Sequence, residues 1–367
     1  MKTIVISAVN IRKGGTLTIL RGCLRYLSEL SAEKNFRVVA LVHDKKLSFY
    51  ENIEYIEFPN TIKSWAKRLW CEYVEMKRIS KQLSPVYLWL SLHDTTPNVI
   101  AERRAVYCQT SFPFLKWKFL DLKYDYKIVL FSLFTRFAYL INVSKNNHLI
   151  VQTNWLRDGL SKILSFPQNK IIVSPPMQDV DKHIFVRKGN ADMKTFLFAS
   201  TPDCHKNFEL LCAASEMLEK EIGEGKFSVT ITIKGNENKY AKWLYKKWGH
   251  VKSINFAGFM NRDTLFEWYN KADCLVFPSR VETWGLPISE FSVTKKPMLL
   301  SNLPYAHETA SGSEQVAFFN SENATDLKEK MKKLIQRDLS DFKKVEEIEL
   351  DNPVANSWEE LFEILLR

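Results

Sequence analysis

Short apolar runs alternate with longer amphipathic stretches along the first half of the chain. We predict strands where such a run is bounded by polar or turn-forming residues. The predicted strands of this half lie at residues 2–7, 36–42, 86–92, 105–109 and 148–152. After the first strand, Gly14 and Gly15 form a tight loop that opens a helix with leucines at helical spacing. This alternation predicts a parallel sheet covered by helices.

The second half of the chain repeats the pattern after a break. The segment Val173–Met177 reads Val-Ser-Pro-Pro-Met and is the best linker candidate, because proline interrupts regular structure. Further strands are predicted at residues 194–200, 229–234, 254–257, 274–278 and 297–301. The order of elements therefore predicts two doubly wound α/β halves.

The longest apolar segment covers residues 128–143. Arg136 interrupts it, and it falls short of the roughly 20 residues that span a bilayer. We interpret it as a buried helix. The apolar run at residues 2–7 is too short for a signal peptide, so we expect a cytoplasmic protein.

A strand end, a turn and a helix start stand together at residues 274–290. Pro278 ends the apolar run, and Gly285 breaks regular structure before the next helix. Ligands of open α/β sheets bind beyond the carboxyl ends of the strands, where free amides attract anions. Glu282 is then placed to accept from sugar hydroxyls, and Glu290 from a ribose. The alternative is two surface glutamates on an ordinary connection.

This arrangement resembles the Glu-x7-Glu motif of retaining glycosyltransferases with the GT-B fold and is most similar to glycosyltransferase family 4. A Pro-Ser pair precedes the first glutamate, and an aromatic residue with Gly-Leu-Pro lies between the two. The resemblance implies two Rossmann-like domains facing a central cleft. It places the implied parts at residues 1–173 (N-terminal, acceptor-side domain), 174–190 (linker), 191–345 (C-terminal, nucleotide-sugar-binding domain) and 346–367 (a helix crossing back to the first domain).

Further pieces of the family pattern can be placed one at a time. The resemblance implies that Gly14, Gly15 and Thr16 approach the donor diphosphate, that His93 touches the donor sugar and that Lys206 binds phosphate. Glycines let backbone amides come close to phosphate oxygens. The alternatives are a plain Gly-Gly turn and a loop histidine at a strand end.

One residue departs from the family pattern, because Thr201 stands where the family carries an arginine. Arg280 and Lys234 are the nearest candidates to replace its charge. Lys234 and Gly235 also match a strand end that meets the nucleotide base, with a plain turn as the alternative. The implied donor-binding set is Gly14, Gly15, Thr16, Lys206, Lys234, Gly235, Arg280, Thr283, Trp284, Gly285, Leu286 and Glu290, and the implied catalytic residues are Glu282, His93 and Lys206.

The implied reaction moves a sugar from a nucleotide diphosphate sugar to an acceptor hydroxyl with retention at the anomeric carbon. The leaving diphosphate helps to deprotonate that hydroxyl.

An Asp-x-Asp sequence stands at Asp179 and Asp181. In the other large glycosyltransferase fold, a motif of this form binds a divalent metal. Here, with Phe185 following, it resembles instead the segment that starts the second domain of family 4. We therefore expect no metal and no other cofactor.

Composition fits a globular protein of two domains. The 367 residues carry a net charge of +10, with 46% hydrophobic and 26% charged residues. None of the scattered cysteines forms a Cys-x2-Cys pair, which is typical of reduced core residues. They are Cys23, Cys71, Cys108, Cys204, Cys212 and Cys274.

The basic residues concentrate in the first half. Residues 61–82 hold six basic and two acidic residues, interleaved with Trp65, Leu69, Trp70 and Tyr73. Residues 112–120 also mix lysines with aromatics. This pattern indicates a face that rests on anionic lipid; the alternative is a solvated helix with a core-facing aromatic stripe. Zinc-finger spacing, an RNP-like strand and a basic tail are missing from the sequence, so nucleic acid is not an expected partner.

The expected acceptor is a glycan, lipid-linked through undecaprenyl diphosphate or otherwise presented, in assembly of bacterial lipopolysaccharide O-antigen or capsule at the inner membrane face. A protein that binds nucleotide sugars without transferring them is the alternative. A nucleotide-sugar epimerase of the same fold would need further carboxylates and histidines that the sequence does not place.

Overall fold

The computed structural model describes residues 2–34, 36–177 and 195–367. The chain folds into two compact units. The first unit comprises Met1–Pro113, Phe134–Gln178 and Leu350–Arg367, and the second comprises Phe114–Leu133 and Asp179–Glu349. The short segment Phe114–Leu133 thus packs with the second unit, although the chain on both sides of it belongs to the first.

Each unit is built on one parallel sheet. The strands of the described residues are β1 (Lys2–Ala8), β2 (Phe36–Val42), β3 (Ile53–Glu57), β4 (Val86–Ser91), β5 (Arg103–Tyr107), β6 (His148–Val151), β7 (Ile171–Val173), β8 (Thr195–Phe198), β9 (Ser228–Ile231), β10 (Ile254–Phe256), β11 (Cys274–Phe277), β12 (Met298–Ser301) and β13 (Val316–Phe319). The first sheet has the order β3-β2-β1-β4-β5-β6-β7 and the second β10-β9-β8-β11-β12-β13. This confirms the predicted α/β architecture.

The helices of the described residues connect these strands. They are α1 (Gly14–Lys34), α2 (Trp65–Trp70), α3 (Met76–Gln82), α4 (Phe119–Tyr124), α5 (Tyr126–Leu140), α6 (Asn154–Leu164), α7 (Phe208–Ile222), α8 (Lys239–Trp248), α9 (Arg262–Lys271), α10 (Leu286–Ser292), α11 (Pro304–Thr309), α12 (Ala324–Ile335) and α13 (Trp358–Leu366). A π-helical turn, Cys71–Glu75, joins α2 to α3.

All the strands predicted from continuous apolar runs are present, and three further strands complete the sheets. β3 reads Ile-Glu-Tyr-Ile-Glu and lies at the edge of the first sheet, where its glutamates reach solvent. β7 and β13 have only three and four residues. These strands give a weak apolar signal because they are short or lie at a sheet edge. Lys194, at the start of one predicted strand, lies outside the described residues.

The C-terminal helix packs within the first unit. Leu361, Phe362 and Leu365 of α13 are buried in the same core as the strands and α1. Gly22 of α1 makes this approach possible, because a Cβ at that position would come within 2.8 Å of Trp358 Nε1. A side chain there would push the terminal helix away.

The helix predicted from the long apolar segment forms, but its complete burial was a wrong prediction. Ile128 and Val129 are buried in α5, whereas Leu133, Phe134 and Phe137 are 48%, 58% and 61% exposed. Among the described residues, no helix is both long enough and apolar enough to span a bilayer. The six cysteines are all buried and unpaired, as expected for core residues.

The aromatic stripe of α2 points outward rather than to the core. Trp65, Leu69 and Trp70 are 56%, 46% and 60% exposed. Lys63 and Lys67, close by in the chain, are exposed as well. Of the two interpretations of residues 61–82, the core-facing stripe is excluded for these side chains.

Candidate functional site

The loop between β11 and α10 carries both glutamates of the sequence motif. All four residues of β11 are buried, and the chain leaves the strand at Pro278. Gly285 adopts a φ of +98°, a left-handed conformation that glycine accepts without strain, and its carbonyl begins α10. Ser279 is also fixed, because its carbonyl accepts from the buried Tyr305 hydroxyl at 2.7 Å. The loop therefore has a defined shape beyond the carboxyl end of a central strand.

Lys206 and Glu282 meet directly in the second unit. Lys206 ends a short 3-10 turn, Cys204–Lys206, that follows β8, the strand beside β11. Its Nζ donates to Glu282 Oε1 at 2.6 Å. Their side chains are 15% and 13% exposed, so both charges lie at the surface of the unit but are largely enclosed. The structure brings together the two residues to which the sequence assigned phosphate and sugar contacts.

Asn207, directly after Lys206, links this turn by hydrogen bonds to the loop after β11 and to the loop after β13. It has a left-handed backbone with a φ of 62°, and its side chain is 1% exposed. The Nδ2 amide donates to Pro278 O at 3.1 Å and to Ser321 O at 2.9 Å. This residue was missed by sequence reasoning. An asparagine after the lysine is a visible signal, but its partners lie 71 and 114 positions away.

Arg280 lies inside the second unit rather than at the surface of the loop. Its guanidinium donates to both carboxylate oxygens of Asp121, at 3.0 and 2.5 Å, and the two side chains are 5% and 0% exposed. Asp121 therefore balances the charge of Arg280, and the expectation that Arg280 replaces the family arginine at the donor stays a prediction. Asp121 had no signal in the sequence that would link it to this loop.

Glu290 projects from α10 and is half-buried. Its Oε2 accepts from the Tyr269 hydroxyl at 2.9 Å. Burial raises the pKa of the Glu290 carboxyl, and the Tyr269 hydrogen bond and Arg262 counteract this in part. The carboxylate keeps a second oxygen with which it can accept from a hydroxyl of a ligand.

Thr283, Trp284 and Leu286 also belong to the predicted donor-binding set. They lie between Glu282 and Glu290 in the chain. Trp284 is half-buried, its Nε1 donates to Ser289 Oγ at 3.0 Å, and its carbonyl accepts from the Thr309 hydroxyl. Thr283 and Leu286 are half-buried too. The indole is thus held against α10 by its hydrogen bond to Ser289.

Thr201 and Lys234 lie just beyond the ends of two neighbouring strands, β8 and β9. The Thr201 hydroxyl donates to Asp203 Oδ2 at 2.5 Å, so no cation stands at that position. Lys234 is exposed. The backbone amides of Lys234, Gly235 and Asn236 all donate to the Glu237 carboxylate, at 2.5 to 3.0 Å. These three amides are therefore occupied by a side chain of their own loop.

Gly14 and Gly15, in the first unit, are the first two residues of α1. Gly14 has a φ of +69° and, with Gly15, is exposed at the start of the helix. The Thr16 hydroxyl donates to Lys13 O at 3.1 Å. The first turn contains no acidic residue, so its free amides and Lys13 form a positive end suited to an anion.

His93 is buried, with 1% of its surface exposed. Its Nε2 lies 3.1 Å from Ser7 Oγ, and its Nδ1 lies 3.1 Å from Thr95 Oγ1. Burial lowers the pKa of the imidazole to about 4, although the Glu72 carboxylate 3.5 Å away acts in the opposite direction. Both ring nitrogens are engaged inside the first unit, and the expectation that the His93 ring touches the donor sugar stays a prediction.

The Asp179–Asp181 sequence and Phe185 lie outside the described residues, as does most of the predicted linker. Val173 closes β7, and Ser174 to Met177 follow it.

Comparison with known proteins places these features in a family context. Residues 179–348 match the family Glycosyl transferases group 1. The O-antigen chain mannosyltransferase RfbU of Salmonella typhimurium is 23% identical over 180 residues, which is 48% of each protein. This chain therefore spans about half the length of that curated relative.

Solved structures share the fold over nearly the whole chain. Sucrose-phosphate synthase from Thermosynechococcus elongatus superposes with a TM-score of 0.65 at 13% identity, covering 100% of this chain and 95% of that one. Anabaena HepE, solved in complex with UDP and glucose, gives a TM-score of 0.62 at 11% identity, covering 93% and 92%. The chain thus has the GT-B fold.

Proposed function

We propose that this GT-B protein is a retaining, metal-independent glycosyltransferase that moves a sugar from a nucleotide diphosphate sugar to a glycan acceptor. The pairing of Lys206 with Glu282 is the observation that carries this proposal. An ammonium group and a carboxylate at the carboxyl end of adjacent parallel strands offer one group for a phosphate and one for sugar hydroxyls.

Each group has a role that follows from its chemistry. The Lys206 ammonium stabilises the negative charge that grows on the diphosphate as the bond to the anomeric carbon breaks. Glu282 accepts hydrogen bonds from the sugar, and Glu290 accepts from the ribose. The acceptor hydroxyl attacks the anomeric carbon on the face that the diphosphate leaves, and its proton passes to a diphosphate oxygen. No protein nucleophile is needed.

The exposed start of α1, described within the first unit alone, is proposed to attract an anionic group of a ligand. Gly14 and Gly15 are exposed there, with backbone amides at the start of the helix. Amides at a helix start carry partial positive charge, which is the reason for this proposal.

The acceptor that we propose is a lipid-linked glycan of bacterial surface polysaccharide, reached from the cytoplasmic side of the membrane. The similarity to an O-antigen mannosyltransferase supports this class of pathway. The exposed Trp65, Leu69 and Trp70 with nearby lysines support peripheral binding to an anionic bilayer, in which indole rings enter the headgroup region and lysines meet lipid phosphates.

The purified protein should be incubated with UDP-, GDP-, dTDP- and ADP-sugars in the presence of a chelator, and release of nucleoside diphosphate should be followed. Release from one donor that is lost in Glu282→Ala supports the proposal and identifies the donor. Activity that disappears in chelator and returns with manganese contradicts the metal-independent mechanism.

A protein that binds a nucleotide sugar without transferring it is the second candidate, and Thr201 in place of an arginine favours it. In that case a nucleotide protects the protein against thermal unfolding, while no nucleotide sugar is consumed in the presence of any of several glycan acceptors. If transfer does occur, a product whose anomeric configuration is inverted relative to the donor contradicts retention.

A further inference from the structure

The Asp121–Arg280 pair joins two parts of the second unit that are 159 positions apart in sequence. The contact is a fork: Nη1 donates to Oδ2 and Nη2 to Oδ1. Asp121 Oδ2 also accepts from the Lys118 amide at 2.7 Å, so the carboxylate caps the start of α4 while it holds the guanidinium. A buried fork of this kind favours one geometry, because both carboxylate oxygens are already matched to a partner.

Arg280 is bound on its other side to the turn that carries Lys206. Its Nη2 donates to Cys204 O at 3.1 Å, and its backbone amide donates to His205 O at 2.8 Å. Cys204 and His205 directly precede Lys206, and Arg280 stands two residues before Glu282. Arg280 therefore holds the turn that carries Lys206 by hydrogen bonds and lies in the same loop as Glu282.

The segment that supplies Asp121 is held in place by further contacts within the same unit. The Tyr124 ring stacks on Trp243 of α8, with centroids 5.0 Å apart and an interplanar angle of 27°. Lys118 Nζ lies 3.5 Å from Glu322 Oε1. Asp121 is thus presented to Arg280 from a fixed support rather than from a free loop.

We infer that Asp121 and Arg280 are positioning residues that set the distance between Lys206 and Glu282. The inference rests on the proposed function for its effect on turnover, but the geometry it concerns can be measured without turnover. A positioning residue does not itself touch the substrate. Their effect reaches the reaction through the two loops that Arg280 joins.

The test compares Asp121→Asn and Arg280→Lys with Glu221→Gln. Glu221 is a matched control in the same unit, because its carboxylate pairs with Lys328 and Lys332 on α12, away from either loop. The reactivity of each lysine toward an amine-acylating reagent is measured by competitive labelling and mass spectrometry, well below the unfolding temperature. Glu282→Gln, which removes the partner carboxylate itself, sets the upper limit for Lys206.

We expect the labelling rate of Lys206 to rise several-fold in Asp121→Asn and in Arg280→Lys, while Lys296 and Lys328 react as in the wild type. Glu221→Gln should leave Lys206 unchanged. Where a donor is turned over, kcat should fall by roughly 10- to 100-fold in the two positioning variants, with a smaller change in KM for the donor.

A folded Asp121→Asn protein in which Lys206 keeps its wild-type reactivity overturns the inference. If that variant does not fold, Arg280→Lys decides in the same way, since it retains the charge and removes the fork. A wild-type protein that consumes no donor defeats the proposed function, yet the labelling comparison still tests the positioning role. The two failures are therefore distinguishable.

Discussion

The Nζ atom of Lys206 lies 2.6 Å from Oε1 of Glu282, although the residues are 76 positions apart in the chain. A phosphate that binds to Lys206 therefore competes with a carboxylate that is already present. Charge-assisted hydrogen bonds of this length are strong, so the exchange favours ligands with high negative charge. A diphosphate meets this condition better than a neutral sugar does.

Replacement of Glu282 by alanine should reduce turnover far more than stability. Loss of a group that contacts the reacting sugar typically lowers kcat by about 100- to 1,000-fold. The free energy of unfolding should fall by only about 1 to 3 kcal/mol, the range for a charged hydrogen bond that is removed. Donor consumption and urea denaturation measure the two effects. Glu221→Ala serves as the control, and an unchanged rate in Glu282→Ala would remove this residue from the site.

Replacement of Lys206 by alanine should weaken binding of the nucleoside diphosphate that the donor panel identifies, such as UDP, but not of the matching nucleoside, such as uridine. The reason is that the ammonium group interacts with phosphate. The loss should be about 10- to 100-fold in Kd, the equivalent of one charged hydrogen bond. Isothermal titration calorimetry with both ligands gives the comparison. Lys328→Ala, which breaks an ion pair on α12, provides the matched variant. Equal losses for UDP and uridine would contradict a phosphate role.

Replacement of Glu290 by glutamine should change how stability depends on pH. Burial raises the pKa of this carboxyl in the folded protein, so the folded chain holds a proton that the unfolded chain releases. The stability linked to that proton is present below the unfolded pKa of about 4.3 and is lost as pH rises through the folded pKa. Glutamine does not titrate, so this loss should be absent from the variant.

Urea denaturation at several pH values tests this expectation. The difference in free energy of unfolding should shift in favour of Glu290→Gln as pH rises from about 4 to about 8. Glu267→Gln is the control, since Glu267 is exposed on α9. Parallel pH curves for the wild type and Glu290→Gln would refute the assignment.

Replacement of Gly285 by alanine should destabilise the protein and lower activity. A Cβ in the left-handed conformation costs about 1 to 2 kcal/mol, and here it would also lie 3.2 Å from Ile288 Cδ1. Gly225→Ala is the control, because Gly225 also has a positive φ, +71°, with open space around it. The variants should differ in turnover more than in thermal unfolding. Full activity in Gly285→Ala would show that the loop shape is not required.

The triple change Trp65→Ser, Leu69→Ser and Trp70→Ser should abolish flotation with anionic vesicles while the melting temperature stays nearly constant, since the side chains are exposed. Lys63→Gln with Lys67→Gln should weaken binding by about 1 kcal/mol for each charge, and more strongly at low salt. Phe259→Ser, which removes an aromatic side chain that is 88% exposed elsewhere, is the control. Wild-type protein that does not float with anionic vesicles at low salt would contradict membrane binding.

The strands were predictable where burial on both faces leaves a continuous apolar run. β2 begins and ends at the predicted residues, and β11 differs by one residue at its end. β3 carries glutamates at an exposed sheet edge and so gives no such run. The exposed face of α5 was not predictable either, because apolar side chains look alike in a sequence whether a core covers them or not.

The family resemblance pointed to Lys206 and Glu282, and the fold places them in contact. The resemblance also suggested donor contacts for Arg280 and His93, whose side chains the structure places in the interior. Loop residues of identical type can point outward or inward. The outcome depends on partners such as Asp121 and Ser7, which lie far away in the chain.

By itself the sequence determined the strands with continuous apolar runs and the helices between them, because strand and helix periodicities arise from neighbouring residues. It also determined the chemical groups at the end of β11. Only the tertiary structure decided which charges are available to a ligand: Asp121 neutralises Arg280, and Glu282 is the partner of Lys206. Such pairings form between residues that folding brings together, and the free energy of burying a charge depends on whether its partner arrives with it.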